Sequence, residues 1–509
     1  MHFNIVSRRS AVQKDKTATG YLIEDDWDDW FEFSTLYEFI YIDFEGNLHE
    51  VGSVKFGQFN MLQDQRRPDL PRSFTELNSH FFSLGQDDSY YATLKSLMEG
   101  ERIQILQRFR DISYDLNIFE QALAERVTRI SLLRFVSPMT VRNQYNRLAN
   151  GGTRLTEFQF TYTLPNQQQN ARSPSLEFSV QPNSTPPTNI HTLIGRNGVG
   201  KTFILERMAR CLTEEGSRNS DNGAFTHPFD TDLFSGVVSV TFSAFDPFEP
   251  LSVSKDRADS IQYRYIGLKK VNDRKQSPPG EPKTPSALTR EFGDSVKACI
   301  LGGKGRRWAD NISKLETDPI FQEAEISSLT SFADDPEELR KQAGKKFRNL
   351  SSGHKIVALT ITRLVEYLQE KTLVLLDEPE AHLHPPLLST FVRTLSDLLV
   401  DRNGVAIIAT HSPVVLQEVP RSCVWKISRM GYKALPNRPF IETFGENVGV
   451  LTHEVFGLEV TDSGFYALLH QWAVEKGDYE EVLEIFDGEL GGEAKAILRS
   501  LISVVRCRQ

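Results

Sequence analysis

Four runs of apolar and β-branched residues, 190–194, 236–242, 372–376 and 405–409, stand out along the chain. Each is short, nearly continuous and bounded by polar or turn-forming residues, the pattern of strands buried on both faces of a parallel sheet. Helix-period segments accompany them: 203–212 after the first run and the glycine-rich turn that follows it, and 356–368 just ahead of the third. Before this block, 156–164 alternates apolar and polar residues as a half-buried strand does, and 175–180 reads as another strand. Nearer the start, aromatic and β-branched residues over 31–44, the turn Glu45-Gly46-Asn47 and a second run over 51–59 predict an accessory sheet. From 89 to 133 the period changes, with Leu94, Leu97, Met98, Ile103, Leu106, Phe109, Leu116, Phe119 and Leu123 at helical steps. Helices are also predicted over 480–485 and 493–505. Polar segments at 165–174 and 216–222 read as loops. No internal repeat occurs at a fixed period.

The pattern predicts an α/β fold in three parts: an accessory β-rich and helical region over 1–150, a central sheet region over 151–430, and a helical region over 431–509 for oligomer or partner contact. Residues 246–346 read as a polar insertion, with a mobile Ser/Pro/Lys segment over 274–285. Basic clusters stand there at Lys269, Lys270, Arg274 and Lys275, at Lys304, Arg306 and Arg307, and at Lys341, Lys345, Lys346 and Arg348. They read either as solvated loops or as a DNA contact.

The net charge of −10 argues against a surface that coats nucleic acid, though not against a local basic groove. Cys211, Cys299, Cys423 and Cys507 are widely spaced and match no metal-ligand pattern, which suits reduced thiols in a cytoplasmic protein. A signal-peptide core and a membrane-spanning run are not expected.

Candidate chemistry sits at the ends of the apolar runs. Gly195-Arg196-Asn197-Gly198-Val199-Gly200-Lys201-Thr202 follows the first. It has the phosphate-loop spacing, in which glycines let successive backbone N–H groups face phosphate oxygens. Lys201 would reach the β- and γ-phosphates of ATP and Thr202 would hold Mg²⁺, with the following helix presenting its positive end. The third run ends in Asp377-Glu378, where Asp377 would hold Mg²⁺ and Glu378 would act as general base. The fourth ends in Thr410-His411, and His411 would sense the γ-phosphate. Leu350-Ser351-Ser352-Gly353-His354 precedes a helix and offers a second anion site through Ser351. Carboxyl ends of parallel strands are where open α/β sheets bind ligands.

Taken together, GRNGVGKT at 195–202, LSSGH at 350–354, LVLLDEPEAHLHP from 373 and ATHS around His411 resemble the ABC-type ATPases, within them the AAA-type 21 branch near the heads of SMC-like proteins. The resemblance implies an ABC-type head, a P-loop NTPase with a mixed sheet flanked by helices. It further implies a head-to-tail dimer with ATP held between Arg196, Asn197, Gly198, Gly200, Lys201 and Thr202 of one chain and Ser351 and Gly353 of the other. Three positions depart from the transporter pattern: Ser352 and His354 stand for Gly and Gln, and His384 for Asp. The Q-loop glutamine has no clear counterpart; Ser243 or Asp246 is the candidate. Segments 82–91, 444–449 and 454–457 resemble PtuA, the ATPase subunit of Septu and retron-associated anti-phage systems. That resemblance implies a partner HNH nuclease (PtuB-like) and, in retron versions, a reverse transcriptase with its msDNA.

On this reading the chain is a regulatory ATPase, slow or mainly binding, that controls a nuclease carried by another chain. Asp487 and Glu489 are the nearest acids to a Toprim pair, but they fall between predicted helices. Two alternatives stay open: an ATPase–nuclease of the overcoming-lysogenization type, and an SMC-like DNA-repair clamp.

Overall fold

The computed structural model describes residues 1–508 apart from 26–31, 63, 153–154, 166–172, 214–221, 228–232, 243–249, 252–260, 272–280, 431–432 and 458–463. The Q-loop candidates Ser243 and Asp246, and the basic residues Arg274 and Lys275, lie outside the described residues.

The N-terminal strands are β1 (His2–Val6), β2 (Thr19–Glu24), β3 (Leu36–Ile42), β4 (Leu48–Gln58), β5 (Ser73–Phe74) and β6 (Phe81–Gly85). They form one sheet in the order β5-β1-β2-β3-β4-β6. The expected hairpin is its β3–β4 pair, turned at 43–47, where the Asp43 carboxylate accepts the backbone N–H of Glu45 and Asn47. The expectation of two strands missed β1, β2 and β6, whose five- and six-residue runs show too few alternations to register. One face carries Phe3, Phe39, Phe56 and Phe74, and Phe109, at the end of helix Glu99–Arg108, is centred 4.6 to 6.2 Å from each of these rings. Helices Asp88–Ser96, Glu99–Arg108 and Leu116–Ala122 cover it, as the helical period predicts.

The central sheet contains β9 (Ile190–Ile194), β11 (Gly236–Thr241), β12 (Gln262–Gly267), β13 (Thr372–Asp377), β14 (Val405–Thr410), β15 (Val424–Met430) and β16 (Lys433–Asn437), in the order β12-β11-β13-β14-β9-β15-β16. Neighbours pair in parallel except the β15–β16 hairpin. β7 (Phe158–Thr163), β8 (Ser175–Val180) and β10 (Ala224–Thr226) make a small antiparallel sheet. Successive side chains explain the unbroken apolar runs. On β13, Leu373 and Leu375 pack with helix Lys201–Thr213 and the small sheet, while Val374 and Leu376 pack with helices Ser352–Tyr367 and Pro385–Arg402. The chain has the mixed-sheet α/β architecture expected of it.

The stretch expected to be a polar insertion is a packed layer of helices from 285 to 349. Phe292, Val296, Trp308, Ile312, Leu315, Phe321, Leu339 and Phe347 are buried in the main core, and Phe292 stacks on Phe347 at 4.6 Å. The apolar positions keep a helical spacing, but charged residues are as numerous, so average polarity hid an amphipathic layer. Its basic residues split in role. Lys304 is buried and donates to the Glu366 carbonyl at 2.6 Å, and burial pushes its ammonium down to about 8. Arg307 donates to Asp87 and Asp88 of the N-terminal region and to Asp401 at 2.7 Å. Arg402 completes the cluster against Asp88. Neither Lys304 nor Arg307 is a solvated loop residue or a free DNA contact.

This cluster joins the N-terminal sheet, the helical layer and the central sheet region. Asp88 and Arg402 are nearly inaccessible, so removing one partner strands a buried charge. Arg402→Met is expected to cost about 3–5 kcal/mol, read as a lowered midpoint in thermal or urea unfolding. Burial opposes ionisation of Asp87, but Arg307 and Arg402 outweigh it and hold the carboxyl well below the usual range. Its contribution is therefore complete above the ordinary aspartate pKa and fades as pH falls below it.

The C-terminal helices Gly464–Lys476, Tyr479–Ile485 and Gly492–Arg508 pack around Leu469, Ala473, Val482, Leu498 and Ile502. Asp487 and Glu489 fall between helices, and no strand follows β16 among the described residues. No described helix is long and apolar enough to cross a membrane.

Candidate functional site

The carboxyl ends of four central strands lie in register. Thr241 pairs with Asp377, Asp377 with Ala409, and Thr410 with Ile194. The phosphate-loop strand β9 is thus one strand away from β13, with β14 between them. Sheet order alone gathers Gly195–Thr202, Asp377, Glu378 and His411 at one edge.

The loop's glycines are there for separate reasons. A Cβ on Gly195 would lie 2.1 Å from the Ile427 carbonyl of β15. Gly198 and Gly200 take φ of +76° and +96°, the left-handed region that turns successive N–H groups inward. Arg196, Asn197 and Gly198 are exposed at the rim; Arg196 donates to the Phe456 carbonyl at 3.5 Å. Lys201 opens the helix, and its Nζ donates to the Gly195 and Arg196 carbonyls at 2.9 and 3.0 Å. Burial lowers its ammonium to about 8 against the opposing pull of Glu378, Asp377 and Glu380.

Thr202 Oγ1 donates to Asp377 Oδ1 at 3.1 Å. Adjacent oxygens around an octahedral Mg²⁺ lie about 2.9 Å apart given bonds of 2.0–2.1 Å, so this hard oxygen pair fits the ion it was expected to hold. Glu378 follows at φ +45°, a costly backbone for a non-glycine residue, which turns its side chain off the strand direction. Its Oε1 lies 2.9 Å from His411 Nε2, and that same nitrogen is 3.0 Å from Lys201 Nζ. The imidazole can therefore donate to the carboxylate or accept from the ammonium, according to its tautomer.

Two residues outside the expected set shape this edge. Glu380 Oε1 accepts from Thr410 Oγ1 at 2.8 Å and from the His411 backbone N–H at 2.6 Å, fixing where the histidine leaves its strand. Arg429 donates to the Gly198 carbonyl at 3.0 Å. Away from this edge, a third unexpected residue, Asp318, has its Oδ1 2.9 Å from His354 Nε2. Only Glu380 had a local signal, since it lies two residues past Glu378.

Ser351 and Gly353 belong to a different cluster. Ser351 is exposed and caps helix Ser352–Tyr367, with Oγ 2.6 Å from His354 Nδ1. Gly353 is buried, and a Cβ there would stand 2.5 Å from the His382 carbonyl. The hydrogen bonds of Ser351 run to His354 and not to the phosphate loop. The phosphate loop, Asp377, Glu378 and His411 come together within one chain; Ser351 and Gly353 do not join them.

A family model described as "AAA domain, putative AbiEii toxin, Type IV TA system" matches residues 243–417. Solved structures similar to the chain include cbiO1 from Clostridium perfringens, part of an ABC transporter complex, at 14% identity and TM-score 0.30, covering 59% of this chain and 94% of that one. Another is UvrA2 from Deinococcus radiodurans, at 13% identity and TM-score 0.29, covering 58% and 40%. The family match marks an AAA-type ATPase domain over residues 243–417, and the chain's own sheet order and phosphate loop agree with it. Over the whole length the chain is 39% identical to Protein ea59 of Escherichia phage lambda, with 99% of this chain and 98% of the relative aligned. The chain belongs to the family of the phage lambda protein ea59.

Proposed function

We propose that the chain is an ATP-operated switch: two copies close head to tail around ATP, and the closed and open states control a partner nuclease in conflict between phages and bacteria. The observation that carries this is the division of the site. Arg196, Asn197, Gly198, Gly200, Lys201, Thr202, Asp377, Glu378 and His411 form one half, while Ser351, exposed, and Gly353, buried behind it, belong to a turn whose contacts run to other partners. A second chain's Ser351 would complete the phosphate cage. ATP then binds the closed pair better than the open one, which is the differential affinity a switch requires. Lys201 and the loop N–H groups would hold the phosphates, Thr202 and Asp377 would hold Mg²⁺, and Glu378, oriented by His411, would take the proton from the attacking water.

Control of a nuclease on another chain is supported by the PtuA-like segments and by the C-terminal helices. Phe465, Leu468, Val474, Ile485 and Val504 are exposed there, an apolar surface suited to a subunit contact. A relative carried by a phage agrees with a part in such conflicts.

The division of the site is tested by mixing two inactive variants, Lys201→Ala and Ser351→Ala. If the site is shared between chains, mixed dimers hold one intact site and ATPase activity returns to about a quarter of the parent's. No recovery would place both halves within one chain. Plasmid cleavage by the isolated chain, lost on Asp487→Asn with Glu489→Gln, would overturn the partner-nuclease reading in favour of a built-in one.

A further inference from the structure

The two histidines by which the chain departs from the transporter pattern, His354 and His384, are 30 residues apart in sequence and come together in space with Asp318. One ligand atom from each of Asp318, His354 and His384 lies within 4.8 Å of the others. We propose that these three side chains form a transition-metal site of the Zn²⁺ class, separate from the Mg²⁺–nucleotide site and placed beside Ser351.

Each ligand is held at a helix start. Asp318 caps helix Pro319–Ala324, and the backbone N–H groups of Ile320 and Phe321 point at its Oδ1, which also lies 2.9 Å from His354 Nε2, leaving Oδ2 for an ion. His354 is buried in the first turn of helix Ser352–Tyr367, edge-on to Phe321 with ring centres 4.9 Å apart. His384 is exposed at the start of helix Pro385–Arg402, its ring centre 6.3 Å from that of His354; its Nδ1 accepts the Leu387 N–H at 3.4 Å, a long contact that the ring gives up on ligating an ion. Ligand atoms around a four-coordinate ion with bonds near 2.0–2.1 Å stand about 3.3 Å apart. A shift of about 1.5 Å by the exposed His384 ring would close the set.

The hydrogen bond behind His354 fits the same assignment. Ser351 Oγ lies 2.6 Å from Nδ1, so an Nδ1–H donated to the hydroxyl leaves the Nε2 lone pair facing the site. That outer partner, an oxygen on the imidazole's far nitrogen, is what orients histidine ligands generally. The kind of ion follows from the donors. Three helices begin here with their positive ends toward the cluster, opposing a cation held by charge alone. Two imidazoles and one carboxylate select an ion that bonds nitrogen, such as Zn²⁺ or Co²⁺, over Mg²⁺ or Ca²⁺, which take oxygen. Three protein ligands leave a fourth position open beside the turn that carries Ser351. The ion would pin that turn to the helical layer and to the loop after β13.

The test is a titration of the full-length, tag-free chain, stripped with chelator, with Co²⁺. The expected result is one saturable site per chain with the visible absorption of four-coordinate Co²⁺, displaced by Zn²⁺ and indifferent to Mg²⁺. His384→Asn keeps a good helix cap while removing the imidazole. It should lower Co²⁺ affinity by at least about 100-fold and leave the unfolding temperature in chelator unchanged. Lys201→Ala should bind Co²⁺ as the parent does. The proposal is overturned if the parent shows no saturable site, or if His384→Asn binds Co²⁺ with the parent's affinity.

Discussion

Lys201→Ala is expected to abolish ATP binding at concentrations that saturate the parent. The ammonium can make two charge-assisted bonds to phosphate oxygens, each worth about 1.5–3 kcal/mol. Their loss weakens binding roughly 10²- to 10⁴-fold, read by fluorescent-nucleotide titration. Folding should survive, because the contacts given up, the Gly195 and Arg196 carbonyls and the His411 ring, are local to the loop and its neighbouring strand end. The same residue predicts a pH dependence whose sign can be worked out. Burial sets its free-state pKa at about 8, and the triphosphate binds the protonated form. Affinity is therefore level below that pH. Above it the dissociation constant rises about tenfold per pH unit, since each binding event must first restore a proton. Lys201→Ala should remove the rise along with most of the affinity. A parent whose affinity is level from pH 7 to pH 9.5 would show that the ammonium does not meet the phosphates.

Glu378→Gln is expected to separate binding from hydrolysis. The amide keeps the shape and can still meet His411 Nε2 across the 2.9 Å contact, so ATP binds with near-parental affinity. It cannot accept the proton of the attacking water, and kcat should fall about 10²- to 10⁴-fold. With hydrolysis blocked, ATP should hold the heads together, giving a dimer by light scattering that reverts when nucleotide is removed. Parental turnover in this variant would mean that another group is the base. Glu380 is the neighbouring carboxylate, but its Oε1 already receives the Thr410 hydroxyl and the His411 N–H. A monomer with ATP firmly bound would instead remove the head-to-tail arrangement while leaving the base assignment intact.

Much of this site is legible in the residues alone, because its signals are local. A phosphate loop needs a strand, a tight glycine turn and a helix within about twenty residues. Thr202, Asp377, Glu378 and His411 stand at the ends of apolar runs that read as strands wherever they occur. What misleads is averaging. Residues 285–349 are mostly polar, yet Phe292, Val296, Trp308, Ile312 and Leu315 face one core. The short strands β1, β2 and β6 likewise acquire their meaning only by pairing with distant partners.

By itself, then, the sequence determined the local chemistry: the loop's turn, the buried parallel strands and the acids and histidine at their ends. Backbone conformation and burial pattern are written over a few neighbouring residues, which is why these features survive without tertiary context. Tertiary structure alone decided what depends on contacts across long loops. The strand order sets β14 between β9 and β13 and so gathers the phosphate loop, Asp377, Glu378 and His411 at one edge. Arg307 became an internal counter-ion because Asp87, 220 residues earlier, meets it in the fold. Asp318, His354 and His384 became a set in the same way. Charge and imidazole carry no address in sequence; their partners are chosen by packing.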